Sequence, residues 1–171
     1  MNKLYEALND QINAEMFSAY LYQAMAADME SKGFAGIAHW FTAQAQEEMV
    51  HAMKFYGYIL ERGEKVTLKA LEAPQTTWKD AKAAFEAALE HEKYITARIN
   101  NLVKLARKAD DYATEFMLHW FVTEQVEEEA HANEILAKIH LMGKTPDALY
   151  LLDRELAARP MLFTMPVTAA G

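Results

Sequence analysis

The sequence contains no cysteine, which excludes several kinds of chemistry at once. Disulfide bonds, thiolate catalysis and cysteine-based zinc or iron–sulfur sites are all ruled out. Basic residues are also few, because 17 Lys and Arg stand against 25 Asp and Glu, giving a net charge of −8. An acidic chain has no overall electrostatic basis for binding nucleic acid or an anionic membrane, but it can attract cations. We therefore expect neither nucleic acid nor membrane among its partners.

Long apolar runs are missing too. No stretch approaches the ~20 apolar residues of a transmembrane helix, and the N-terminal stretch MNKLYEALNDQINAEM lacks the apolar core of a signal peptide. We therefore expect a cytoplasmic protein. The 171 residues, 52% of them hydrophobic, suffice for one domain with a sizeable core.

Glycine and proline are scarce, and they cluster. Of the six glycines and four prolines, Gly33, Gly63, Pro74, Gly143 and Pro146 mark breaks near residue 33, from residue 63 to about 77, and at 143–146, and residues 109–111 mark a weaker break. Between these breaks the chain is rich in Ala, Glu, Leu, Met, Lys and Gln, which favour helix. We predict four long helices at about 3–31, 34–62, 79–108 and 111–140.

A short fifth helix is predicted at 146–158. Thr145 is a suitable N-cap, Pro146 fits the first helical position, and Pro160 stops the helix. The remaining residues, 159–171, read RPMLFTMPVTAAG and form a tail to which we assign no structure. We expect one domain over 1–158, followed by this tail.

The lengths of the connections predict how the long helices are arranged. Short links join the first helix to the second and the third to the fourth, so each of these pairs is antiparallel. The middle connection has about 15 residues, enough to return along the whole bundle. The sequence thus predicts an all-α fold, a four-helix bundle with one long crossover and a short fifth C-terminal helix.

Each long helix has an apolar 3-4 repeat that a carboxylate interrupts near its middle. We call this buried stripe the seam; the interruptions are Glu15, Glu48, Glu92 and Glu128, with His51 one turn after Glu48. Glu15 lies about 17 residues before the first break and Glu48 about 16 after it, so the two are level at a rise of 1.5 Å per residue. By the same count Glu92 and Glu128 are level in the second pair.

Burying several carboxylates together is costly, because each buried ion loses its hydration and like charges repel. Since no Lys or Arg occupies these seam positions, either some acids stay protonated or metal cations lie among them. Two divalent ions would balance four carboxylates, and oxygen ligands with one imidazole suit iron or manganese. The alternative, that all four are ordinary surface glutamates, is disfavoured by their common phase and height.

Five motifs extend this pattern over most of the chain. They are QINAEMFSAYLY (11–22), QEEMVHAMKF (46–55), EHEKYIT (90–96), EQVEEEAHA (124–132) and ALYLLDREL (148–156). With them the chain resembles the prokaryotic non-haem ferritins of the ferritin-like di-iron superfamily, whose bundles carry Glu and Glu-x-x-His ligands.

The resemblance implies a ferroxidase centre with a residue role at each matching position. Glu15, Glu48 and His51 would bind one iron, and Glu48 would bridge to a second iron held by Glu92 and Glu128. Gln125 would lie beside the second iron, and Tyr22 near the centre as a hydrogen-bond or electron donor. A third iron site would use Glu47, Glu124 and Glu127, with Glu128 shared.

The resemblance also implies a function and an assembly. Two Fe(II) ions would be oxidised by dioxygen or hydrogen peroxide and stored as Fe(III) mineral inside a hollow homo-oligomeric shell. The fifth helix favours a 24-subunit shell, in which it would pack around the four-fold axes. The alternatives are a different di-iron bundle, such as a rubrerythrin-like peroxidase or a small oxygenase, and a shell subunit without catalysis.

Two further residues could mislead the assignment. Glu128 and His131 form a second Glu-x-x-His, but His131 falls off the seam, so we expect no metal role for it. Met49 follows Glu48 at the place where bacterioferritins carry their haem-ligating methionine. No other residue favours haem, and methionine is common packing material, so we expect none.

Overall fold

Five helices account for most of the computed structural model, which describes residues 3–143 and 146–164. They are α1 (Lys3–Ser31), α2 (Ala35–Glu61), α3 (Ala81–Lys108), α4 (Tyr112–Met142) and α5 (Pro146–Leu156). The predicted all-α fold is confirmed, with the long helices in their predicted places. The fifth helix ends at Leu156, two residues early, and Thr145 lies outside the described residues.

The helices pair as the connection lengths predict. α1 packs along α2 and α3 packs along α4, while α1 also contacts α3 and α5 rests mainly on α2. In the part of the chain that is described, no helix is long and apolar enough to cross a membrane.

The crossover between α2 and α3 follows α1 from one end to the other. At its start, Asn9 accepts a hydrogen bond from the backbone N–H of Thr67 at 2.7 Å. At its end, the carboxylate of Asp28 accepts one from the N–H of Trp78 at 3.0 Å, and the Trp78 ring is buried. Asn9 and Asp28 are separated by roughly 28 Å of helix at 1.5 Å per residue, so the connection returns along most of the bundle.

The bundle interior contains two apolar clusters. One is built around Met25, Phe41 and Phe85, and the other around Ile12, Phe55 and Ile99, among other buried side chains. The seam glutamates belong to neither cluster, although they are equally buried. The polar layer therefore has hydrophobic packing on both sides, which keeps water away from it.

The short helix α5 caps the start of α2. Phe34, at the N-cap of α2, provides no side-chain hydrogen bond, whereas Asp80 and Asp111 cap α3 and α4 in the usual way. The missing acceptor comes from Asp153 of α5, whose Oδ1 lies 2.8 Å from the backbone nitrogen of Ile37. α5 is thereby fixed to the bundle by a polar contact as well as by its buried Leu152.

We expect Gly36→Ala to loosen α5. A Cβ at Gly36 would lie 1.7 Å from the backbone oxygen of Asp153, and only movement of α5 can relieve that overlap. Gly57→Ala is the matched control, because a Cβ there meets nothing within 4 Å and should stabilise α2 by about 1 kcal/mol. Hydrogen exchange should become faster over residues 148–156 in the Gly36 variant alone; equal protection in both variants would contradict the contact.

Candidate metal centre

Four glutamates, one from each long helix, meet midway along the bundle. Glu15, Glu48, Glu92 and Glu128 are between 1% and 6% exposed, and His51 beside them is 4% exposed. Their positions on the seam predict that these side chains are buried in the interior, and in the structure they are buried. Within the described residues none of the four forms an ion pair with Lys or Arg, so no basic side chain neutralises them.

The ligand atoms form two overlapping groups. One atom each from Glu15, Glu48 and His51 lie within 4.8 Å of one another, and so do one atom each from His51, Glu124 and Glu128. His51 is common to both groups, and its Nδ1 is 3.5 Å from Oε2 of Glu48. Carboxylate oxygens with a single imidazole are a donor set that suits iron or manganese.

Side-chain amides hold the glutamates in place. Nε2 of Gln11 donates to Glu15 at 2.8 Å, and Nε2 of Gln44 donates to Glu48 at 3.0 Å and to Glu128 at 2.8 Å. Gln44 thus connects carboxylates from two different helices. Hydrogen bonds of this kind orient ligands before a metal arrives.

The roles of Gln11 and Gln44 were missed in the sequence analysis, although a signal was present. Each glutamine stands four residues before its glutamate, and that spacing puts the two side chains on one helix face. The repetition of Gln-x-x-x-Glu in α1 and α2 could have indicated a supporting role. One contact of Gln11 could not be predicted from the sequence: its Oε1 accepts a hydrogen bond from Nε of Arg98, at 2.8 Å.

Gln125 and Tyr22 both contact Glu92. Nε2 of Gln125 lies 3.1 Å from Oε2 of Glu92, and the hydroxyl of Tyr22 donates to Oε1 of the same carboxylate. The Tyr22 ring is fully buried and stacks against Phe41. Both residues were predicted to lie near the centre, and the structure brings them there.

Burial and mutual repulsion raise the pKa values of the acids. The pKa rises to about 8 for Glu15, Glu48 and Glu92 and to about 7 for Glu128, mainly because burial penalises the charged form. Neighbouring carboxylates add to the effect, as Glu48 does for Glu15. The pKa of Tyr22 is also raised, by burial and by Glu92. Without metal, the centre therefore retains protons near neutral pH.

Two buried acceptor atoms support a cation at this place. Oε2 of Glu15 and Oε1 of Gln44 have no hydrogen-bond partner among the described residues. Buried polar atoms nearly always have a partner, so orphaned acceptors beside raised-pKa carboxylates fit a site made for positive charge.

The three residues assigned to a third iron site have different surroundings. Glu124 joins the group of His51 and Glu128. Glu127 is exposed and belongs to neither group of ligand atoms, and Glu47 forms an ion pair with Arg159 at 2.5 Å. The structure does not bring these three carboxylates together.

The two residues flagged as misleading are both on the surface. His131 is exposed and lies outside both groups of ligand atoms, in keeping with its position off the seam. Met49 is also exposed.

Comparison with known proteins shows the class to which this fold and site belong. The ferritin-like domain profile of the ferritin family matches residues 5–142, and the chain belongs to that family. It is 42% identical over 156 residues to the bacterial non-heme ferritin of Staphylococcus haemolyticus, covering 91% of this chain and 94% of the relative. It is likewise 42% identical over 160 residues to that of Staphylococcus saprophyticus, covering 93% and 96%.

Solved structures give the same result. The open pore ferritin of the hyperthermophilic archaeon Archaeoglobus fulgidus superposes with a TM-score of 0.92 at 48% identity, covering 94% of this chain and 99% of that one. A structure described as a humanized archaeal ferritin also gives 0.92, at 45% identity. The prediction of a non-haem ferritin is confirmed, and iron storage is the general function of this class.

The metal-free protein should lose stability as pH rises. A carboxyl whose folded pKa is about 8 and whose unfolded pKa is about 4.5 binds more protons when folded, so the free energy of unfolding falls between these two values. We expect the melting temperature of metal-free protein to fall from pH 5 to pH 8.5. The fall should be smaller in Glu92→Gln, which removes one of these carboxyls; an identical pH profile in that variant would contradict the raised pKa.

Proposed function

We propose that the protein oxidises Fe(II) at the four-glutamate centre, with dioxygen or hydrogen peroxide as the oxidant, and stores the Fe(III) as mineral. The observation that carries this proposal is a buried glutamate from every long helix, with His51 beside them and no lysine or arginine partner within residues 3–143 and 146–164. Such a layer is stable when cations replace its protons, and Fe(II) is the cation handled by this class of protein.

Each residue receives a role in the proposal. Glu15, Glu48 and His51 would hold one Fe(II), and Glu48, Glu92 and Glu128 would hold a second. Gln125 and Tyr22 both donate hydrogen bonds to Glu92, and they would hold this carboxylate in place for the second ion. Gln44 holds Glu48 and Glu128 at a fixed separation across the bundle.

The electron and proton balance follows from two ions per centre. Two Fe(II) ions give up two electrons in total; dioxygen takes both with two protons and becomes hydrogen peroxide. When hydrogen peroxide is the oxidant, the same two electrons and two protons yield two waters. The protons that the raised-pKa carboxyls hold at neutral pH leave as metal binds. Carboxylate ligands favour Fe(III) over Fe(II), which drives the transfer.

Storage requires a container, and one bundle cannot enclose mineral. We propose that copies of the chain form a hollow shell of 24 subunits, located in the cytoplasm. Large apolar side chains are exposed on this single chain, including Phe116, which is 79% exposed, together with Tyr112, Val126 and Leu151. Such side chains are typical of surfaces that other subunits cover.

Replacing the proposed bridging ligand should stop fast oxidation. We expect Glu48→Ala to slow the initial oxidation of Fe(II), at two ions per chain, by at least ~100-fold, because both ions lose a ligand. Stopped-flow absorbance on metal-free protein measures this rate. His131→Ala is the control and should keep the wild-type rate, since that side chain is exposed and away from the centre. A fast Glu48 variant, or a slow His131 variant, would refute the ligand assignment.

Removing the C-terminal helix should prevent assembly of a complete shell. We expect the chain that lacks residues 146–171 to sediment as small species, because these residues include α5 and its contacts with α2. Analytical ultracentrifugation distinguishes these from a shell of about 24 subunits. An unchanged particle would show that α5 has no part in assembly, while the oxidation test above remains independent of it.

A further inference from the structure

After α5 the chain turns back and lies on α2. We call residues 159–163 the strap. The carbonyl of Arg159 lies 2.8 Å from Nε2 of His39, at the beginning of the strap. At its end, Gln46 accepts hydrogen bonds from the backbone N–H groups of Leu162 at 2.9 Å and Phe163 at 3.1 Å, and donates to the carbonyl of Phe163 at 2.8 Å. The strap is thus held at both ends by α2 side chains.

The side chain of Arg159 is fixed by three contacts. Its guanidinium lies 4.4 Å from the centre of the Trp40 ring, and Nη1 is 3.4 Å from the carbonyl of Trp40. Nη2 is 2.5 Å from Oε2 of Glu47. The side chain is only 14% exposed, against 30% for Glu47. A planar guanidinium with these contacts is a well-ordered permanent cation.

Glu47 is close enough to the metal centre to affect it. It directly precedes Glu48, and its negative charge contributes to the raised pKa values of Glu48 and Glu128. The resemblance to non-haem ferritins assigns Glu47 to a third iron site together with Glu124 and Glu127. In the structure its Oε2 is instead paired with Arg159, and Glu47 belongs to neither group of ligand atoms.

We propose that Arg159 is a built-in competitor for metal at Glu47. The strap places a guanidinium against this carboxylate, so an additional ion next to the di-iron centre can bind there only after Arg159 is displaced. Displacement is unfavourable while the strap is in place, because it leaves a nearly buried arginine without its counter-ion. The strap therefore limits the chain to the two ions of the centre.

This inference rests on the proposed di-iron centre, because the two ions of that centre are the number expected to bind to wild type. The criterion is the difference in bound ions between wild type and Arg159→Gln, which removes the charge and keeps a polar side chain. Leu162→Ala is the matched control in the same segment, because it shortens an exposed side chain and retains the backbone hydrogen bond to Gln46.

The experiment is isothermal titration of metal-free protein with Zn²⁺ at pH 7, together with anaerobic Fe(II) binding. We expect about two tightly bound ions per chain in wild type and Leu162→Ala, and about one more in Arg159→Gln. The double variant Arg159→Gln/Glu47→Gln should return to the wild-type number, which locates the added ion at Glu47. Circular dichroism and particle size serve to check that each variant folds and assembles.

A second variant tests the strap without touching the ion pair. Gln46→Ala frees residues 162–163, and we expect it to raise the number of bound ions above the two of wild type, toward the number bound by Arg159→Gln. Equal stoichiometry in wild type and Arg159→Gln, or a Gln46 variant indistinguishable from wild type, would overturn the proposal. A wild type that fails to bind two ions would instead contradict the di-iron centre, whatever the difference between the variants.

Discussion

Four carboxylates buried at one level of a helical bundle are the constraint on which this structure depends. Each loses hydration and repels the others, and in the part of the chain that the structure describes no lysine or arginine offsets them. Protons satisfy the layer when metal is absent, as the pKa values near 8 indicate, and cations satisfy it when metal is present. Cation binding and stability of the bundle are therefore two aspects of one electrostatic problem.

The surrounding fold makes this costly layer possible. The apolar clusters around Phe41 and around Phe55 fix the helices above and below the acids. Glutamine amides then orient the carboxylates without adding charge, as Gln44 does by bonding both Glu48 and Glu128. A cationic partner at the same position would have satisfied the acids permanently and left no reason for metal to bind. The choice of neutral donors keeps the site available.

The C-terminal part of the chain supplies a basic side chain to a carboxylate just outside the layer. Asp153 of α5 caps α2, and beyond it Arg159 supplies the positive charge that is absent from the interior. Glu47 has that cation as its partner, whereas Glu48, one residue later on the buried face, has no lysine or arginine partner among the described residues and lies 3.5 Å from His51. Neighbouring glutamates on one helix thus belong to two different electrostatic environments.

The sequence by itself determined the helices, the crossover and the buried glutamates. These features depend on local signals: glycine and proline at the breaks, apolar periodicity, and a charged residue in phase with it, as at Glu15 and Glu92. The spacing of Gln11 and Gln44 carried a signal too, but their hydrogen bonds became clear only in the structure. What only the tertiary structure decided are contacts between residues far apart in sequence, such as Arg159 with Glu47 and Asp153 with the start of α2. No periodicity encodes such a pairing, because it depends on where the folded chain places α5 and the strap.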